Sequence, residues 1–241
     1  MAARSVFISG ATGYLGSALI PVLLERGLRV KALARPASLG KVPRGCPATA
    51  GNPLDAATFQ HALGGMDTLV HLTGVSHPAP WKAAQFRAID LKSLEQSLAA
   101  MRWAGVRHLV YVSVAHPAPV MKEYVDVRQE CEERIADSRI PASILRPWYI
   151  LGPGHRWPQM LRPMYALAEM IPSLRDGARR LGLVRLDQMV QALAWCVENP
   201  PAGLRVLDVP AIRGERADLS REPKRRRDRE REAASSIQIP S

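Results

Sequence analysis

Cysteine is scarce in this chain: Cys46, Cys131 and Cys196 are the three it has among 241 residues. They lie far apart and show no metal-ligand spacing. That excludes a disulfide framework and a structural metal site, and it points to a reducing, cytoplasmic setting. Long hydrophobic runs are missing as well. The most apolar late stretches are too short or too interrupted to span a bilayer. The first ten residues run directly into a strand pattern instead of a charged stretch followed by an apolar one, so no signal peptide is expected. No internal repeat is found. Between Val30 and Ser38 there is no acidic residue, an absence that bears on the charge of any ligand bound there.

What is present is apolar and basic. Hydrophobic residues make up 47% of the chain, enough for a well-buried core in one large domain or one domain with a small appendage. The net charge of +11 is unevenly spread: residues 213–241 carry nine Lys/Arg against six Asp/Glu. This tail, with "REPKRRRDREREAASS" at its centre, cannot bury enough apolar surface to offset its ordering entropy and is expected to be disordered. Lys224 to Arg227 form a basic cluster, but the interleaved acids weaken its field. A solvated tail is therefore expected rather than a nucleic-acid contact. The folded domain is expected to end at about residue 212.

Strand and helix patterns alternate from the start. Ser5–Ser9 reads as a strand and Tyr14–Arg26 as a helix with Leu15, Leu19, Val22 and Leu23 on one face, stopped by Gly27. Strands follow at Arg29–Arg35, Ala48–Ala50, Thr68–Thr73, His108–Val114, Ala142–Ile150 and Arg205–Val209. Helices are expected from Asp55 to Leu63, Trp81 to Trp103, Met121 to Ser138 and Gln188 to Val197. Continuous apolar strands separated by helices indicate an α/β fold, a doubly wound parallel sheet of the Rossmann type with helices on both faces. A small C-terminal substrate-side segment is expected at about 153–182.

The stretch "GATGYLG", residues 10–16, follows the first strand and opens the first helix. In that position Gly10 permits a tight turn, Gly13 lets the backbone approach phosphates, and Gly16 lets the helix pack closely on the sheet. The helix N-terminus would then offer free N–H groups and a positive dipole end to a pyrophosphate. Arg35 closes the second strand. An acid there suits the ribose hydroxyls of NAD, whereas a cation suits a 2′-phosphate. NADP(H) is therefore favoured over NAD(H), with a plain surface arginine as the alternative.

The spacing Gly-x-x-Gly-x-x-Gly, with "TGYLG" inside it, resembles the extended and atypical short-chain dehydrogenase/reductase families, of the NAD-dependent epimerase/dehydratase-like or NmrA-like kind. The resemblance runs from residue 5 to about 210. It implies cofactor contacts from Gly10, Thr12, Gly13, Tyr14, Leu15 and Gly16. "GNPLD" (51–55) resembles the family's Gly-Asp-x-x-Asp segment at the adenine pocket, with Asn52 in place of the first acid and Pro53 beside it. "VHLTG" (70–74) is similar to the segment that flanks ribose and nicotinamide, which implicates Leu72, Thr73 and Gly74. "GVRHLVYVSV" (105–114) is similar to the family's fifth strand, and "ILRPWYILGPG" (144–154) to its sixth strand and following loop, which adds Pro147.

Active members of the family carry Tyr-x-x-x-Lys on the helix after the fifth strand, where the i, i+4 spacing puts both side chains on one face. The lysine holds the ribose and lowers the tyrosine pKa; the tyrosine moves a proton at the substrate oxygen. Here the stretch reads "YVDVRQECEERI", so Tyr124 is followed by Arg128, a cation that is not equivalent to lysine. The family's serine falls on Val114, with Ser113 one residue early and on the opposite face of the strand. The family's asparagine falls on Asp90. Tyr124, Arg128 and Ser113 are the candidate catalytic residues, with Arg128 also a ribose contact. The alternative is a helix pair that merely stabilises bound cofactor. His155, near Trp148, Tyr149, Arg156 and Trp157, is a further candidate acid or base or else a packing element. The segment 163–172 is an amphipathic helix that suits an apolar substrate or ordinary core.

Two functions are therefore expected. One is an NADP(H)-dependent oxidoreductase of the atypical short-chain type, acting on a small carbonyl-type substrate. The other is a non-catalytic NADP(H)-binding redox sensor or an accessory protein like that of respiratory complex I. No metal is expected, and the oligomeric state is left open.

Overall fold

The computed structural model describes residues 4–76, 78–117, 121–153 and 182–215. The chain begins with β1 (Ser5–Ser9), α1 (Tyr14–Glu25), β2 (Arg29–Ala34), β3 (Ala48–Ala50) and β4 (Thr68–His71). It continues through α2 (Ala83–Gln85), a π-turn (Phe86–Leu91), α3 (Lys92–Ala104), β5 (His108–Val112), α4 (Lys122–Ser138), β6 (Ala142–Leu145) and β7 (Tyr149–Leu151). The last elements described are β8 (Leu183–Arg185), α5 (Leu186–Glu198), β9 (Leu204–Leu207) and α6 (Val209–Ile212).

Seven strands form one parallel sheet in the order β3-β2-β1-β4-β5-β6-β9. The strands read as apolar runs because both faces are covered. Alternate residues divide the core between the faces: Val6 and Ile8 pack with α1 and α5 through Leu19, Ile20, Leu23, Leu193 and Val197. Phe7, Leu69, Leu109 and Tyr111 pack on the other face with Leu94, Leu98, Val127 and Ile135 of α3 and α4. Leu19, Ile20 and Leu23 are fully buried, each worth about 1.5–3 kcal/mol of transfer free energy. The Rossmann-type reading is correct.

Strand order reverses between β1 and β4, where Ser9 lies opposite His71. The loops after these strands, Gly10–Gly13 and Leu72–Val75, therefore flank one crevice at the carboxyl edge, the position where open α/β sheets bind ligands.

Local departures from the expected elements have identifiable causes. The single strand expected over Ala142–Ile150 stops at Leu145, because Pro147 has no N–H to continue the ladder. The chain then forms β7, which pairs in parallel with β8, a strand the sequence pattern did not reveal. Asp55 does cap, accepting from the Ala57 N–H at 3.1 Å, but only two 3-10 turns follow, Ala56–Thr58 and Gln60–Leu63. The helix expected from Trp81 starts as a 3-10 turn at Pro80–Lys82 and passes through the π-turn before α3, which Gly105 closes at φ 71°. Past α6 the Arg213 guanidinium donates to the Leu183 carbonyl at 2.9 and 2.6 Å. His155, Arg156, Trp157, the segment 163–172, most of the expected 153–182 appendage and most of the tail lie outside the described residues.

Candidate active site

The glycine turn is shaped by contacts that leave no room for side chains. Gly10 has φ +75°, and a Cβ there would lie 2.6 Å from the Leu72 carbonyl carbon. A Cβ on Gly16 would lie 2.5 Å from Gly10 O and 2.7 Å from Ala11 Cα. The Gly13 N–H donates to Gly10 O at 3.0 Å, closing the turn, and Gly13 N-caps α1 without a side-chain hydrogen bond to the helix end. First-turn N–H groups, those of Leu15 and Gly16 among them, have no carbonyl four residues back to bond. The result is a cradle of backbone donors at the positive end of a 12-residue helix. Thr12 and Leu15 are half-buried beside it, and the Tyr14 hydroxyl is buried against Gly152.

Across the crevice, Thr73 holds a buried hydroxyl that has no hydrogen-bond partner among the described residues. Below it sits His71, whose Nδ1 meets the Ser9 hydroxyl at 3.2 Å and the Ser97 hydroxyl at 3.0 Å. Its Nε2 lies 3.4 Å from the Ser93 hydroxyl. Burial pushes the His71 pKa down to about 3, with Arg128 adding to the effect, so the ring is neutral. The histidine thus ties the ends of β1 and β4 to α3.

Arg128 is the hub of the next cluster. Its Nη1 donates to the Tyr111 hydroxyl at 3.0 Å and the Val112 carbonyl at 2.9 Å, and its Nη2 donates to Asp90 Oδ1 at 2.5 Å. The other Asp90 oxygen accepts from the Val75 N–H at 3.1 Å. Asp90 is placed by the π-turn, a helix irregularity that often accompanies functional sites. Burial raises the Asp90 carboxyl above its ordinary range, while Arg128 and the Val75 N–H pull it back. The guanidinium carbon lies 5.1 Å from the Tyr124 ring centre and 5.7 Å from that of Tyr111. Tyr124 also packs on Phe86 at 5.0 Å. Burial raises the Tyr124 pKa and Asp90 adds to it, against the pull of Arg128.

Ser113 is brought to a separate cluster. Its hydroxyl donates to Glu132 Oε1 at 2.5 Å. Arg146 grips both oxygens of the same carboxylate, Nε at 3.0 Å and Nη2 closer still. His116 Nε2 stands 3.4 Å away and its Nδ1 meets Gln129 at 3.1 Å. Burial would raise the Glu132 carboxyl, but these partners outweigh it and hold the pKa at about 2. Val114, the neighbour at the expected serine position, is buried.

The remaining candidates lie along the same edge. Arg35 is exposed just past β2, and no acceptor among the described residues bonds its guanidinium. Asn52 closes a turn, its Oδ1 accepting from the Leu54 N–H at 3.0 Å, with Pro53 half-buried inside it. Pro147 is buried and its carbonyl accepts from the Ala115 N–H at 2.9 Å. A family model described as NAD(P)H-binding matches residues 10–156. The chain belongs to this NAD(P)H-binding family.

Among relatives of this NAD(P)H-binding chain, a 3-diazoavenalumate denitrifying reductase of a Streptomyces species is 29% identical, over 84% of this chain and 75% of its own length. A ceramide reductase of Caulobacter vibrioides is 24% identical, over 83% of this chain and 62% of its own length. The chain thus falls well short of the full length of both. The Bordetella bronchiseptica enzyme WbmH, solved with NAD+, superposes with TM-score 0.65 at 19% identity, over 86% of this chain and 76% of that one. That likeness shows the shared fold.

The described residues fit a dinucleotide. A Cβ at Gly10, Gly13 or Gly16 would press on the main chain of this turn or of the loop after β4, so glycine is what lets the turn close with the helix N–H groups free at its mouth. In that neighbouring loop the buried Thr73 hydroxyl has no partner among the described residues. Sequence reasoning missed His71, Ser93, Ser97, Tyr111 and Arg146. The pair Ser93 and Ser97, four apart on one face of α3, and a histidine ending an apolar strand were the signals available. Among the described residues no group of His, Cys, Asp and Glu is arranged to hold a metal, and no helix is long and apolar enough to cross a membrane.

Proposed function

We propose that the chain is an NADP(H)-dependent reductase acting in the cytoplasm on a small carbonyl-type substrate. The observation that carries this reading is the glycine turn and open helix N-terminus at the strand-order switch, packed beside the loop that holds the unpartnered Thr73 hydroxyl. The cofactor, when bound, supplies hydride. The first-turn N–H groups of α1 bind its diphosphate, Arg35 meets the 2′-phosphate, and Thr73 gains a partner. Asn52, Pro53, Leu72, Gly74 and Pro147 shape the walls. Tyr124 keeps its proton at neutral pH, as an ordinary phenol does, and burial raises its pKa further. A protonated phenol donates to a substrate oxygen, the proton transfer that reduction of a carbonyl requires. Arg128 positions Tyr124, and Ser113 positions Glu132. The reductase names of the relatives agree with this direction.

A second reading is a non-catalytic NADP(H)-binding sensor or accessory protein. It is favoured by one observation: the Arg128 charge is already matched by Asp90, and valine stands at the expected serine position. NADPH oxidation by the purified protein across aldehydes, ketones and quinones separates the two. The reductase reading expects turnover that Tyr124→Phe abolishes while leaving NADPH affinity intact. Tight NADPH binding with no turnover on any member of the panel, identical in Tyr124→Phe, establishes the second reading.

A further inference from the structure

Asp90 and Arg128 meet at the junction of four segments: the π-turn, α4, the loop after β4 through Val75, and β5 through Tyr111 and Val112. The Asp90 side chain is 0% exposed and that of Arg128 9%. Either charge alone at that depth would be strongly unfavourable, so each is tolerated because of the other. Glu132, one turn further along α4, does not compete for the arginine, since Arg146, Ser113 and His116 occupy it. Gly74 is pressed against the pair: a Cβ there would lie 2.7 Å from Arg128 Nη2 and 2.9 Å from Asp90 Oδ1. The loop that faces the glycine cradle therefore rests directly on this ion pair, and its Val75 N–H is bonded to it.

We infer that Asp90 is a positioning residue whose carboxylate, by binding the Arg128 guanidinium and the Val75 N–H together, clamps the loop 72–75 against α4 and sets the nicotinamide side of the cleft. The diphosphate side is built from backbone at Gly10–Gly16, which touches the loop at Leu72 and Thr73 but not the ion pair itself, so it is expected to feel the clamp less. This inference rests on the dinucleotide reading of the cleft.

The test compares Asp90→Asn, Arg128→Gln and the double variant with the unaltered chain, using NADPH and ADP as probes. ADP carries the diphosphate but no nicotinamide. Asp90→Asn is expected to weaken NADPH about tenfold while ADP stays within about twofold. Amide exchange at Gly74 and Val75 in the unliganded protein is expected to quicken about tenfold or more. The double variant should weaken NADPH by less than the product of the two single effects, because it removes both buried charges. Equal losses for ADP and NADPH, unchanged exchange at residues 74 and 75, or multiplicative single effects would overturn the clamp. If neither probe binds the unaltered chain, the dinucleotide reading fails, and the exchange rates alone then decide whether the clamp exists. Should Asp90→Asn not fold, Gly74→Ala, which pushes a methyl group at both partners from the loop side, replaces it in the same comparison.

Discussion

The two sides of the cleft are built from different materials. On the side of β1–β3, the buried polar residues among those described are Ser5 and Ser9. From β4 onward they are Thr68, His71, Asp90, Ser93, Ser97, His108, Ser113, Arg128, Glu132 and Ser143. The first side makes its binding surface from main-chain N–H groups at a helix end, where glycine serves by having no side chain. The second makes its surface from buried side chains that bond mostly to one another, with the Thr73 hydroxyl and Arg128 Nε left over. Backbone surfaces suit a constant group, a diphosphate in the proposed reading. Side-chain networks set the orientation of reacting groups and tolerate little interference.

Arg128→Met is the strongest way to break the second side alone. It leaves the Asp90 carboxylate buried without its counter-ion and takes from the Tyr111 hydroxyl one of its two side-chain partners, the other being Cys131. A loss of about 3–5 kcal/mol in unfolding free energy is expected, measured by urea titration. A loss below about 1 kcal/mol would mean that the pair is not structurally significant.

Gly16→Ala breaks the first side. The added methyl would lie 2.5 Å from Gly10 O and 2.7 Å from Ala11 O, both main chain, so the turn itself must move. About 2–3 kcal/mol of stability and most dinucleotide affinity should be lost. Gly27→Ala is the control. It sits at φ +77° with nothing within 4 Å of the new Cβ, so it costs only about 1 kcal/mol of backbone strain and leaves binding intact. Calorimetric titration with NADPH on both variants checks the contrast.

The same division explains what could be read from the chain before its structure. "GATGYLG" declared the first side because glycine spacing reports backbone geometry directly. The apolar strands and the helix face Leu15, Leu19, Val22 and Leu23 declared the sheet, although Ile20, outside that expected face, is buried with Leu19 and Leu23 while Leu15 and Val22 are half-buried. The second side was legible only as candidates: the i, i+4 pair Tyr124 and Arg128 and the next position Glu132 were visible, but their partners were not. Arg128 meets Asp90 across 38 residues and Glu132 meets Arg146 across 14. Pairings of that kind depend on tertiary approach, which no local period encodes. The π-turn that aims Asp90 and the pairing of β7, split off at Pro147, with the distant β8 were hidden for the same reason.

Acid should loosen the second side before the first. Burial holds His71 at about 3 and His108 at about 4, whereas an unfolded histidine titrates near 6.5. The unfolded chain therefore binds more protons below pH 6.5, and stability falls as pH drops from there toward 4 and 3. Each histidine contributes a slope of about 1 kcal/mol per pH unit. Glu132, held at about 2, adds its own loss only below about pH 4.5. Unfolding free energy measured between pH 7.5 and 5 should decline, and a flat profile would contradict the buried neutral histidines. Amide exchange should quicken first along β4 and β5, with β2 the slower to respond.

The smallest expected effect concerns Arg35, which belongs to the first side yet acts through a side chain. Its guanidinium is exposed just past β2 and has no described partner, so it adds nothing to the fold. Removing it by Arg35→Ala should leave melting temperature unchanged. A 2′-phosphate would lose one charge-assisted contact, so NADPH affinity should drop about five- to tenfold. NADH affinity should stay within about twofold, because that ligand carries no phosphate at the position. The NADPH loss should shrink as salt is raised, since an exposed contact of this kind is screened over roughly 8 Å at physiological ionic strength. Equal losses for both dinucleotides would instead assign Arg35 to the adenine wall. That outcome would place Arg35 with Asn52 and Pro53 as a wall residue and leave the 2′-phosphate without a cation on this side.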